Sequence, residues 1–143
     1  MGIVVRNLTD MPDALVTMAI AHGLQDGVEL CEVLIKNKNA GMSGRWGTYW
    51  SGSERKVVIT LPRAMTTHVV RNSRLGLKYT IDSRVEFLVT VMAHELRHAY
   101  QHQVYKWDMA RMSKRLLEAD AENWEYTSLM RWREKLTQMR KAA

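Results

Sequence analysis

The chain has 143 residues, 46% of them hydrophobic and 25% charged, an ordinary globular composition that excludes a disordered or fibrous protein and fits one domain over residues 1–143. Its longest apolar run, residues 14–21, is shorter than the roughly 20 residues of a membrane span. With no secretory succession at the start and a lone cysteine, Cys31, a soluble, cytoplasmic protein is expected. The formal charge of +6 would suit an anionic partner, but the basic residues are spread from Arg6 to Lys141, so nucleic acid is raised by composition alone and by no motif.

A short β-like run, GIVV, opens the chain. Thr9 or Asp10 can cap a following helix that has Pro12 in its first turn and ends at Gly23 or Gly27; it is expected to pack over a sheet. Between residues 29 and 62 the character turns to β. ELCEVLIK, GRWGTYW and KVVITLP are separated by turn-rich NKNAGMSG and SGSE, which predicts an antiparallel hairpin or meander with Cys31 as a buried strand residue. Residues 63–80 read as loop or short helix. Ser83 and Glu86 form a capping box that starts a second helix. Along it Val85, Leu88, Val89, Met92, Leu96 and Ala99 recur at helical spacing and face a core. A last helix is expected over residues 108–138, with Met109, Met112, Leu116, Ala119, Trp124, Leu129, Trp132 and Leu136 as its apolar contacts. The fold class is α+β: an N-terminal helix and a small mixed or antiparallel sheet, then two long helices.

Residues 91–102, VMAHELRHAYQH, hold three of the five histidines. At about 100° per residue, His94 and His98 lie roughly 180° and 220° around the helix from Val85, away from the apolar stripe. A four-residue step stacks two side chains one turn apart, so both rings can present nitrogens to one metal ion. Glu95, between them in H-E-x-x-H, is aimed at the ion's open side, as a general base must be. Shuffling this composition yields that pattern in roughly 1 sequence in 100, so further signs are needed. The bland alternative is a solvated helix face with paired charges. His102 continues the series but lies about 12 Å along the axis from His94, too far to share a tetrahedral ion.

Catalytic zinc takes three protein ligands and keeps one position open. Twenty residues after His98 comes LLEADAENWE, which sets Glu118, Asp120, Glu122 and Glu125 on the final helix, where a carboxylate would complete the set. H-E-L-R-H followed by E-A-D-A resembles the gluzincin zinc metallopeptidases, whose helix–loop–helix carries two histidines and then a glutamate. The resemblance covers residues 83–125 and implies a zincin-like fold with the C-terminal helix carrying the third ligand. It implies Zn2+ held by His94, His98 and Glu118, with Asp120 orienting a ligand histidine and Glu122 as the alternative ligand. The hairpin GRWGTYW…KVVITLP is similar to the sheet edge that pairs with an extended substrate in such enzymes.

The pattern departs from the metzincins, whose H-E-x-x-H-x-x-G-x-x-H needs a glycine where Gln101 stands and a third histidine three residues on, where there is none. SprT or Spartan-like DNA-associated proteases share the HExxHAY look but take a later histidine as ligand, and none follows His102. Peptide deformylase has an upstream cysteine ligand in a glycine-rich setting that Cys31 lacks. The expected activity is a zinc-dependent endopeptidase on a peptide or protein substrate, with Glu95 as general base towards a zinc-activated water. Tyr100, His102, His68, Tyr126 and Arg131 are oxyanion-donor candidates, Arg97 is expected to pair with a carboxylate, and the tryptophans and methionines to line core and cleft. The rival readings are a non-catalytic zinc-containing module that binds nucleic acid or protein, and a metallopeptidase that processes one regulatory protein.

Overall fold

The main sheet is built around two inner strands whose apolar residues are buried. Strands β1 (Val4–Asn7) and β2 (Glu32–Asn37) run parallel, joined by helix α1 (Asp13–Gly23); β4 (Lys56–Leu61) is parallel to β2, and β3 (Gly47–Trp50) is antiparallel to β4. The order is β1-β2-β4-β3. The computed structural model describes residues 2–38, 46–65 and 69–142; among them the chain is an α+β protein with three helices. Of the antiparallel hairpin or meander expected over residues 29–62, the hairpin is found in β3–β4, and the meander is corrected because β2 pairs with β4 in parallel. Alternating apolar residues mark a strand without choosing its neighbour. Here Val33, Ile35, Val57, Ile59 and Leu61 are all fully buried, as inner strands require, and β3 goes to the edge. Most of the turn expected before β3 lies outside the described residues.

Helix α1 starts after Pro12, later than a cap at Thr9 or Asp10 would place it. The Thr9 hydroxyl accepts from the Met11 amide (3.1 Å), and Asp10 is drawn to Arg84 (2.9 Å). Cys31 is exposed, just ahead of β2 rather than buried within it.

Residues 69–81 are not loop or helix but a hairpin of β5 (Val69–Asn72) and β6 (Lys78–Ile81). The Ser73 hydroxyl accepts from the Leu75 and Leu77 amides (3.2 and 3.1 Å), and Gly76 takes φ +80°, a left-handed conformation glycine adopts without a Cβ clash. The register sets Arg71 opposite Tyr79.

Helix α2 (Arg84–Gln103) begins where the capping box puts it: Ser83 Oγ accepts from the Glu86 amide at 3.1 Å. The Glu86 carboxylate returns to the Asp82 amide (2.9 Å) and takes both arms of Arg133 from α3 (Lys114–Ala142), each at 2.9 Å. Leu88, Val89, Met92, Leu96 and Ala99 join the strand residues, α1 and Trp132 in one buried cluster. α2 packs against β3 and β4, α1 and α3. Helix α3 begins six residues later than expected, because Asp108 folds back on the amides of Ala110, Arg111 and Met112. Its buried face is Leu117, Ala121, Leu129 and Trp132, whereas Leu116, expected inside, is 60% exposed. No helix among the described residues is long and apolar enough to cross a membrane.

Replacing Ser83 with alanine removes the acceptor for the Glu86 amide, and a loss of about 1 kcal/mol in unfolding free energy is expected. Urea denaturation with an unchanged slope measures it; a midpoint equal to the parent's would show that Arg133 and Asp82 hold the helix start unaided.

Candidate metal centre

The histidines of α2 and the glutamate of α3 meet because the two helices run antiparallel, with the HELRH segment level with residues 117–125. His94 Nε2 lies 2.8 Å from one oxygen of Glu118, and His98 Nε2 lies 3.4 Å from the other. One ligand atom from each of the three residues falls within 4.8 Å of the other two. The imidazoles are 13% and 12% exposed at the side chain, at the floor of a cleft of about 540 Å³.

Each ring is held from behind. His94 Nδ1 donates to Glu125 (3.2 Å), and His98 Nδ1 donates to the Gln101 carbonyl oxygen (2.9 Å). The Gln101 amide in turn donates to Leu117 O and Asp120, each at 2.9 Å. Asp120 therefore reaches a histidine only through Gln101, and its main partner is Arg97 (2.7 and 3.1 Å). Glu122 turns away from the cluster to the backbone amide (2.9 Å) and guanidinium of Arg74. Glu125 is 2% exposed and also accepts from Arg71 (3.0 and 3.1 Å) and the Tyr79 hydroxyl. Gln101 and Glu125 were the supports sequence reasoning missed. The signal was their spacing, three residues past His98 and seven past Glu118, which returns each to the face of its neighbour.

These bonds test whether the donor set fits a metal. With Nδ1 of each ring committed as a donor, the two Nε2 atoms are the ones turned towards Glu118. For His98 that sets Nε2 against a carboxylate oxygen at 3.4 Å, an arrangement that a cation held between them would stabilise. Two imidazole nitrogens and one carboxylate oxygen are ligands that zinc takes, and the set fits. In the ion-free chain a proton on His94 supplies positive charge beside Glu118. Burial disfavours a charged His94, but the hydrogen bonds of Glu118 and Glu125 and the neighbouring carboxylate charges outweigh it and raise its pKa to about 10. Hydrogen bonds with His94 and, to a lesser extent, His98 hold Glu118 well below the usual carboxylate range. Glu125, though burial pushes it up, is kept low by His94 and Arg71.

Glu95 is buried against the edge strand and lines the same cleft. A Cβ built on Gly47 of β3 would lie 2.8 Å from Glu95 Cγ and 2.7 Å from Val91, so only a glycine lets strand and carboxylate approach this closely. Trp46 lines the cleft with its ring edge-to-face against Phe87. Of the oxyanion-donor candidates, Tyr100 packs on Tyr105, Tyr126 on Tyr79, His102 near Tyr49, and Arg131 is exposed; none of the four lines this cleft, and His68 lies outside the described residues. The cleft presents Tyr49, Arg71, Arg74 and Lys114 instead. Trp132 belongs to the core, but Trp50 is exposed. Comparison with protein-family models, curated proteins and solved structures finds no match for this chain.

A His94 pKa raised above its ordinary value means that the ion-free protein carries an extra proton, whose contribution to stability is complete below about pH 6.5 and is lost as pH rises through about 10. A metal must displace that proton. Zinc affinity is expected to rise about tenfold per pH unit between about pH 7 and 9, and calorimetry in buffers of different ionisation enthalpy reads the proton directly; an affinity flat across that range contradicts the assignment. A second expectation concerns the strand. Gly47→Ala should leave zinc content unchanged while moving Glu95, so any Glu95-dependent turnover should fall at least about tenfold.

Proposed function

We propose that the chain is a zinc-dependent metallopeptidase of gluzincin type, with a zincin-like fold, that hydrolyses peptide bonds. The observation that carries this reading is the convergence of His94, His98 and Glu118 from two helices beside a buried Glu95. His94, His98 and Glu118 would hold the ion, and zinc when bound supplies a lowered water pKa and a polarised carbonyl.

The chain's own residues do the rest. Gln101 and Glu125 hold the ring nitrogens that face away from Glu118, so the imidazoles need not reorient for each turnover. Glu95, wedged beneath β3 by the missing side chain of Gly47, is a carboxylate that can accept a proton at one stage and return it to a leaving amine at the next. β3 is the last strand of its sheet among the described residues, and an extended peptide can pair along such an edge. Trp46, Gly47, Thr48 and Tyr49 bring that edge into the cleft. Shielding by Trp46 and Phe87 lowers the local dielectric, which strengthens every charge interaction at the floor.

The test combines metal content with turnover. Purified protein is expected to hold about one zinc per chain. Glu95→Gln should keep the metal and lose about 10²- to 10⁴-fold in cleavage of a denatured protein mixture. Glu118→Ala should lose zinc where Glu122→Ala keeps it, because Glu122 is spoken for by Arg74. Undiminished cleavage by Glu95→Gln, or a parent protein that takes up no zinc, would sink the proposal.

A further inference from the structure

The β5–β6 hairpin also lines the cleft, and it contributes two guanidinium groups, Arg71 and Arg74. Both are tied to carboxylates of α3, yet the two halves of each pair differ sharply in exposure. Arg71 and Arg74 are 41% and 45% exposed at the side chain, whereas Glu125 and Glu122 are 2% and 9% exposed. The carboxylates are the buried halves of the two pairs and the guanidinium groups the exposed halves.

Counting donors shows what is spare. A guanidinium has five N–H donors. Arg71 spends Nε and Nη2 on Glu125 and is also engaged by the Tyr79 hydroxyl, whereas Arg74 spends Nη1 on Glu122 and has no further side-chain hydrogen bond to the described residues. Glu122 and Glu125 are three residues apart on α3, about one turn, so the two guanidinium groups they hold lie side by side. Lys114, also on the cleft, has no ion-pair partner among the described residues. The cleft thus carries three cationic side chains against four carboxylates, Glu95, Glu118, Glu122 and Glu125; a divalent ion at the floor makes the balance positive.

We infer that Arg74, with Arg71 beside it, forms a subsite for a carboxylate of the substrate, either an acidic side chain or the terminal carboxylate of a peptide. The inference names a substrate class for the proposed peptidase and rests on that reading for the word substrate, but binding tests it apart from turnover. Guanidinium is suited to the task because its planar fork matches a carboxylate with two parallel bonds. The buried glutamates behind it fix the fork in place, so little side-chain freedom is lost when an anion arrives.

The experiment uses the zinc-loaded full chain carrying Glu95→Gln, so that peptides are bound without being consumed. Alanine-rich peptides with a single glutamate at each position in turn are compared with their glutamine counterparts, all amidated at the C-terminus, and a neutral peptide is compared as free acid and as amide. At least one glutamate peptide, or the free acid, is expected to bind about five- to tenfold more tightly than its neutral twin, and the margin should shrink as salt is raised. A preference for the free acid assigns the terminal carboxylate, and one for an internal glutamate assigns the side chain. Arg74→Gln alone would strand the buried Glu122 and could unfold the hairpin, so the decisive variant is the pair Arg74→Gln with Glu122→Gln, which removes cation and anion together. That pair should bring acidic and neutral peptides within about twofold of each other, with the zinc content unchanged. Equal affinity of all acidic and neutral peptides in the parent overturns the inference. So does a preference that survives intact in the paired variant, because the carboxylate would then be bound elsewhere in the cleft, the ion included. A protein that turns over no peptide but shows the Arg74-dependent preference would reject the peptidase reading and leave the subsite standing.

Discussion

Helix α2 is enclosed on both sides, and that enclosure organises the molecule. Its apolar stripe is buried with the main sheet and α1, while its other side meets α3, so the polar residues of HELRH have little water to turn to. A buried charge without a partner costs several kcal/mol, and each polar group here is met by one of opposite character. Glu118 lies between the two imidazoles, Glu125 behind one and Gln101 behind the other. Arg97 on the far side is met by Asp120, Gln25 and Tyr105. The partners come chiefly from α3, which explains why a helix that is polar over much of its length still buries Ala121, Glu122, Glu125 and Ser128.

The carboxylates create their own need for cations, and the β5–β6 hairpin meets it. Only Tyr79 and Ile81 of this small sheet are buried. Arg71 and Tyr79, opposite one another in the register, both end on Glu125, and Arg74 in the turn ends on Glu122. Burial and the nearby Glu125 push the Tyr79 hydroxyl well above its ordinary pKa, so it remains a hydrogen-bond donor. A chain of contacts therefore runs from the hairpin through Glu125 to His94. The two rings are held unequally: His94 by a full carboxylate, His98 by a neutral amide. A carboxylate behind an imidazole raises the basicity of its other nitrogen more than an amide does, which is the sense in which His94 is shifted.

Much of this was legible in residue spacing, and the failures share a cause. Ser83 and Glu86 announce the start of α2 because capping is a local bond between residues three apart. The face shared by His94 and His98 is equally local, being fixed by helical pitch. Glu118 and Glu122 are one turn apart on the same face of α3, so no local rule separates them; the choice depends on Arg74, which arrives from a hairpin that the sequence pattern did not reveal. That hairpin was hidden because its strands carry Arg71, Asn72 and Lys78 where apolar alternation would have marked them. The parallel pairing of β2 with β4 is likewise a tertiary choice. In α3 the apolar residues Leu116 and Leu117 are adjacent, and only packing against Gln101 and α2 decides that Leu117 turns inward.

The geometry also separates two duties on the hairpin wall. Arg71 grips Glu125 with two nitrogens, and Glu125 grips His94; an anion that drew Arg71 away would loosen the support of an imidazole at the floor of the cleft. Arg74 is attached differently. Its backbone amide and a single side-chain nitrogen bind Glu122, and Glu122 touches neither histidine. Contact with a ligand at Arg74 therefore disturbs nothing on the path to His94. Of two neighbouring guanidinium groups, the one that supports His94 through Glu125 is the one held to it by two side-chain bonds, and the one with donors to spare is the one whose partner has no part in the cluster.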